Sequence, residues 1–118
     1  MMETSRLADS ATIGVVLAAC QNRQAIISRT RNSQTERYLH QVWQTNFDQL
    51  QESVANHIEL NRKVYCKQNC DGHYLDNCFE ANVTLSEELE VYVEIFIQNA
   101  QIVILAAHNH YTSNRLPQ

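Results

Sequence analysis

Proline occurs once in this chain of 118 residues, at Pro117, and glycine twice, at Gly14 and Gly72. Turns draw heavily on these two residues, because glycine takes left-handed backbone without penalty and proline presets the first turn dihedral. A turn-rich all-β protein is hard to build without them. The shortage therefore predicts few connections and long helices. Long apolar runs are missing as well, and with no span of about 18 apolar residues a transmembrane helix is not expected.

Catalytic signatures are also lacking. The chain holds no Gly-x-Ser-x-Gly turn, no glycine-rich phosphate loop and no paired Glu-x-x-His motifs for a di-metal bundle. No local acid/base constellation replaces them, so the sequence reads as a non-enzyme. His40 and His57 are placed on the long helix, and His108 and His110, at the end of the third, are read as complements to the helix dipole. Basic charge is scarce too. The net charge is −4, and residues 69–118 carry Arg115 alone against seven acids. Nucleic-acid binding needs a concentrated basic surface. The nearest approach to one is Arg23, Arg29, Arg31 and Arg37, which reads as a solvated helix end, so no nucleic-acid partner is expected.

What is present is enough apolar material for one core. Hydrophobic residues make up 44% of the chain, and this length suits one domain of common size. The expectation is a single helical domain over 1–118 with a polar tail at 111–118. The strongest pattern begins at Ser33. Ser33-Gln34-Thr35-Glu36 has the form of a capping box. Leu39, Trp43, Phe47, Leu50, Val54 and Ile58 then recur at helical spacing, predicting one helix to about Gln68. A first helix is predicted from about Arg6 to Arg31, with a kink or break at Gln21–Gln24.

The third segment admits two templates. Leu89, Val91, Val93, Ile95 and Ile97 alternate with Glu88, Glu90, Tyr92, Glu94, Phe96 and Gln98, as a strand would. Leu85, Leu89, Val93, Phe96, Ala100 and Val103 also form a helical stripe. A second capping box, Thr84 to Glu87, and the lack of a recognisable hairpin turn decide for helix. The predicted fold is an all-α, up-and-down bundle of three long helices, with room for a short fourth in the 69–83 connector. Its core would hold Trp43, Phe47, Leu50, Val54, Ile58, Leu89, Phe96 and Val103.

One cluster carries potential chemistry. Cys66, Cys70, His73 and Cys78 follow as C-x3-C-x2-H-x4-C. Three thiolates and an imidazole are a suitable zinc set, although the usual two-residue knuckle is absent. Cys20 makes four cysteines, so disulfides in any of three pairings are the rival, and reduced thiols the plain alternative. Leu17-Ala18-Ala19-Cys20 resembles the lipobox of bacterial lipoprotein signal peptides. The resemblance implies a lipid anchor through Cys20 if 1–19 is a signal peptide. Arg6 is the only basic residue before it, whereas such a peptide starts positively charged, so a cytoplasmic location is the expectation. Asn82-Val83-Thr84 is a glycosylation sequon, of consequence only in a secreted protein.

The leading functional expectation is a non-enzymatic protein that works through association: self-assembly, or a subunit or adaptor of a larger complex, without a cofactor. Its motive is apolar surface beyond what three helices cover. The alternative is a small metal- or redox-responsive protein using zinc at Cys66, Cys70, His73 and Cys78.

Overall fold

Tyr65–Gln68, Tyr74–Ser86, Leu89–Gln98 and Ile102–Asn109 are β-strands rather than helices, which overturns the all-α bundle. The computed structural model describes residues 6–29, 34–86 and 89–109. Its fold is mixed α/β. In chain order it has α1 (Ser10–Gln21), β1 (Ile26–Ile27), α2 (Thr35–Arg37), a π-helical turn (Tyr38–Val42), α3 (Phe47–Glu59), β2 (Tyr65–Gln68), β3 (Tyr74–Ser86), β4 (Leu89–Gln98) and β5 (Ile102–Asn109). The connector expected over 69–83 is largely β3. The segment that fitted both templates is the β4–β5 hairpin. Ser33 and Glu87, one member of each capping box, and the polar tail from 110 lie outside the described residues. Gln34, at the start of α2, makes no side-chain cap bond.

The predicted helices are cut short by residues in left-handed backbone that are not glycine. Asp9 caps α1, its carboxylate accepting from Thr12 N at 2.8 Å. The helix ends at Arg23, whose φ is +56°, with Gln24 N bonded to Ala19 O at 2.8 Å. The long rod breaks at Gln44, φ +53°, where Thr45 N reaches Leu39 O at 2.7 Å. It restarts at Asn46, whose side chain caps α3 through Gln49 N at 2.8 Å. It stops at Asn61, φ +58°.

The sheet order is β1-β5-β4-β3-β2. β1 runs parallel to β5 and the other pairs are antiparallel. One face packs on the helices. It carries Phe79, Ala81, Val83, Val91, Val93, Ile95, Val103, Leu105 and Ala107 against Val16 and Cys20 of α1, Leu39, and Leu50, Val54 and Ile58 of α3. Trp43, Phe47 and Leu89 flank this core, half-buried. Phe96, also expected in the core, lies in register with Cys78 and Ile104 on the opposite face.

Two buried polar side chains bind the helical layer to the sheet edge. Gln51 accepts from Ala25 N at 2.9 Å, just before β1. The Thr35 hydroxyl accepts from Ala107 N at 3.0 Å on β5, beyond the point where β1 stops pairing. At the far edge, the chain before α1 lies along β2. Ala8 N bonds Val64 O at 2.9 Å, Cys66 N bonds Arg6 O at 2.7 Å, and Leu7 bridges Tyr65.

Candidate functional site

The register assigns one set of side chains to the sheet face away from the helices. Across the strands these are Tyr65, Glu80, Glu94 and Ala106; then Asn82, Tyr92 and His108; then Cys78, Phe96, Ile104 and Ile26. Side chains alternate across a strand, so this outer face follows directly from the inner one. None of the helices named above packs on it.

Its centre is a continuous polar network. Lys67 Nζ lies 2.9 Å from Glu94 Oε2 and donates to the Tyr92 hydroxyl at 2.9 Å. Tyr92 in turn donates to Glu80 Oε1 at 2.5 Å. His108 Nε2 meets Glu94 Oε1 at 3.1 Å, which fixes that nitrogen as the protonated one. Glu80, Asn82 and Tyr92 are buried, while Lys67, Glu94 and His108 are half-buried. The hydrogen bond from His108 holds the Glu94 carboxyl down at about 2, with Lys67 assisting and burial opposing. All five members of the network are engaged with one another. Chemically, that is a fixed polar surface in which one ammonium, one phenol and one imidazole serve two carboxylates.

Beside the network lies an apolar row. Ile26 of β1 is half exposed, and Ile104 and Phe96 are half-buried neighbours across β5 and β4. The alternation of Glu90, Tyr92, Glu94 and Phe96 was the sequence signal for this face. The strand partners that make it a surface could be known only from the register.

The cysteine–histidine set is not gathered into one group. Cys66 pairs with Phe79 and so shares the helix-facing side, whereas Cys78 is buried on the outer face. Cys70 and His73 lie exposed in the β2–β3 connection, where Asn69 N bonds His73 O at 2.8 Å. Among the described residues, no three His, Cys, Asp or Glu side chains form a group able to hold a metal. All four cysteines are free thiols. Burial pushes the Cys20 thiol up to about 12 and the Cys78 thiol up to about 11. Cys20, the residue of the lipobox resemblance, packs in the core at 1% exposure.

The remaining candidates fall into structural roles. Arg23 pairs with Asp48 at 3.5 Å, Arg29 with Glu36 at 3.1 Å, and Arg37 donates to Gln34 at 2.7 Å. Arg31 is outside the described residues. His57 is buried, its Nε2–H donating to Lys63 O at 2.8 Å, and its Nδ1 has no hydrogen-bond partner among the described residues. Burial lowers its pKa. His40 is exposed. Among the described residues, no helix is long and apolar enough to cross a membrane.

Comparison with protein-family models, with curated proteins and with solved structures returns no match.

Proposed function

We propose that this is a non-enzymatic protein that works by association, using the outer sheet face to pack against a second copy of itself. The single observation that carries the reading is the apolar row Ile26, Ile104 and Phe96, left without a helical cover beside a hydrogen-bonded polar network. A solvated sheet face normally alternates to polar residues. Here the alternation yields a mixed surface of the kind found at interfaces, with an apolar row beside hydrogen-bonded polar groups.

Much of the face is already buried within one chain, at Tyr65, Cys78, Glu80, Asn82, Tyr92 and Ala106, so the area left to a partner is small and centres on Ile26, Ile104 and Phe96. Stable interfaces use about 800 Å² per partner, and smaller ones associate weakly. The reading therefore specifies a reversible dimer formed by sheet-on-sheet packing, with the two sheets about 10 Å apart.

Sedimentation equilibrium over a range of concentrations tests it. The mass should rise toward twice the chain mass, and Phe96→Glu should hold it at the chain mass while circular dichroism stays unchanged. A wild-type protein that remains strictly monomeric at about 1 mM, the weak limit for a specific contact, would overturn the reading.

A further inference from the structure

A second surface feature lies on the helical side, at the end of the sheet. The start of β3 is poorly matched to both neighbours. Toward β2, the pairs Cys66–Phe79 and Gln68–Tyr74 leave Lys67 opposite the whole segment Leu75–Cys78. Toward β4, pairing stops at Cys78–Phe96. Leu75, Asp76 and Asn77 thus have no residue partner in either strand. Such wide bulges turn side chains out of the regular alternation and occur beside binding sites.

The bulge opens a cleft of about 470 Å³ between α1 and the β4–β5 turn. Val15, Phe79 and Ile97 supply an apolar floor, and Asp76, Asn77 and Asn99 stand on the rim. The volume lies within the ~300–1,000 Å³ common for small-molecule sites, and an apolar floor with a few polar groups is the usual composition. Asp76 is the only charged side chain in the lining and makes no ion pair with any described residue. The Thr12 hydroxyl, also in the lining, is already engaged by Asp9. The turn that closes the cleft is itself strained. Asn99 and Ala100 both have positive φ, +54° and +62°, and Ala100 lines the cleft.

From this geometry we infer that the cleft is a binding site for a small organic ammonium ion with an aryl or aliphatic body. The ammonium group sits against the Asp76 carboxylate, the Asn77 and Asn99 carboxamides accept its remaining hydrogens, and the apolar body covers Val15, Phe79 and Ile97. An anion of the same shape meets the uncompensated charge of Asp76. A neutral analogue lacks the ion pair.

The test is an amide NMR titration of the full chain with 2-phenylethylammonium, and with 2-phenylethanol and 3-phenylpropionate as isosteres. The ammonium probe should shift a contiguous set around Thr12, Val15, Asn77, Asn99 and Ala100 and saturate. The alcohol should bind roughly fivefold more weakly, and Asp76→Asn should weaken the ammonium by about the same factor. Val15→Trp, which fills the cleft from α1, should abolish the shifts; an unchanged wild-type-like spectrum elsewhere confirms folding. Scattered or absent shifts, equal binding of alcohol and ammonium, or an unaltered Asp76→Asn affinity would each overturn the assignment.

Discussion

Glu94 and His108 are diagonal neighbours on β4 and β5. The carboxylate accepts the imidazole Nε2–H at 3.1 Å and also takes the Lys67 ammonium at 2.9 Å. Two cationic or donor groups on one carboxylate explain why it stays ionised despite partial burial.

That arrangement sets an acid limit on stability. Glu94 is held at about 2, against an ordinary 4.5. Its contribution is complete above about 4.5 and is lost as the pH falls toward about 2. His57 acts at higher pH. Its folded pKa lies below the ordinary 6.5, so the unfolded chain takes up the proton first and stability begins to fall below about 6.5. Urea melts from about pH 8 to 3 should show two successive declines. Glu94→Gln should remove most of the lower one, worth on the order of 2–3 kcal/mol; an identical acid slope in that variant would contradict the assignment.

Thr35 stands in for a strand. Its hydroxyl accepts from Ala107 N at a ladder position that β1 does not reach, and it is fully buried. Thr35→Val keeps the shape and leaves that N–H unpaired. The variant should be destabilised by about 1–3 kcal/mol, read by denaturant melts. Thr35→Ser should retain most of the stability.

The β4–β5 turn has positive φ at both Asn99 and Ala100, and Gln101 N returns to Gln98 O at 3.1 Å. Asn-Gly is the preferred pair for such a turn. Ala100→Gly should raise stability by about 1 kcal/mol, the cost of a Cβ in left-handed backbone. A neutral or negative result in thermal melts would place the strain elsewhere.

The cysteines should react in a fixed order. Cys70 is exposed, Cys66 is half-buried, and the buried Cys20 and Cys78 thiols are raised to about 12 and 11. A disulfide reagent near neutral pH should modify Cys70 first and reach Cys20 and Cys78 only in denaturant. Metal analysis of the purified protein should find less than about a tenth of an equivalent of zinc. A full equivalent, with Cys66 and Cys78 protected together, would support the metal reading.

The helical half of the fold was legible at its true strengths. The stripe of Leu50, Val54 and Ile58 is the buried face of α3, whereas the caps Asp9 and Asn46 were not among the helix starts the sequence pattern offered. The breaks were hidden because Arg23, Gln44, Asn61, Asn99 and Ala100 occupy backbone that sequence reasoning reserves for glycine. Counting glycines therefore undercounted turns, and the hairpin at Asn99 went unseen. The alternation from Glu88 to Gln98 was the correct template for β4. It lost to a helical stripe in which Phe96 and Val103 share a face, whereas the strands set them on opposite sides of the sheet. The outer network was illegible for a different reason: Lys67, Glu80, Glu94 and His108 come from four strands, and only pairing brings them together.

The first part of the chain supplies both borders of the sheet. Residues 6–8 lie along β2, and Ile26 and Ile27 run beside Ile104 and Leu105 of β5. These contacts join the most distant parts of the sequence, whereas β3, β4 and β5 pair with immediate neighbours. Closing long loops is slow and neighbouring hairpins form quickly. The meander β3–β4–β5 should thus assemble first and the amino-terminal strands arrive last. A chain emerging from the ribosome must hold Ile26 and Ile27 unpaired until Ile104 and Leu105 have been made.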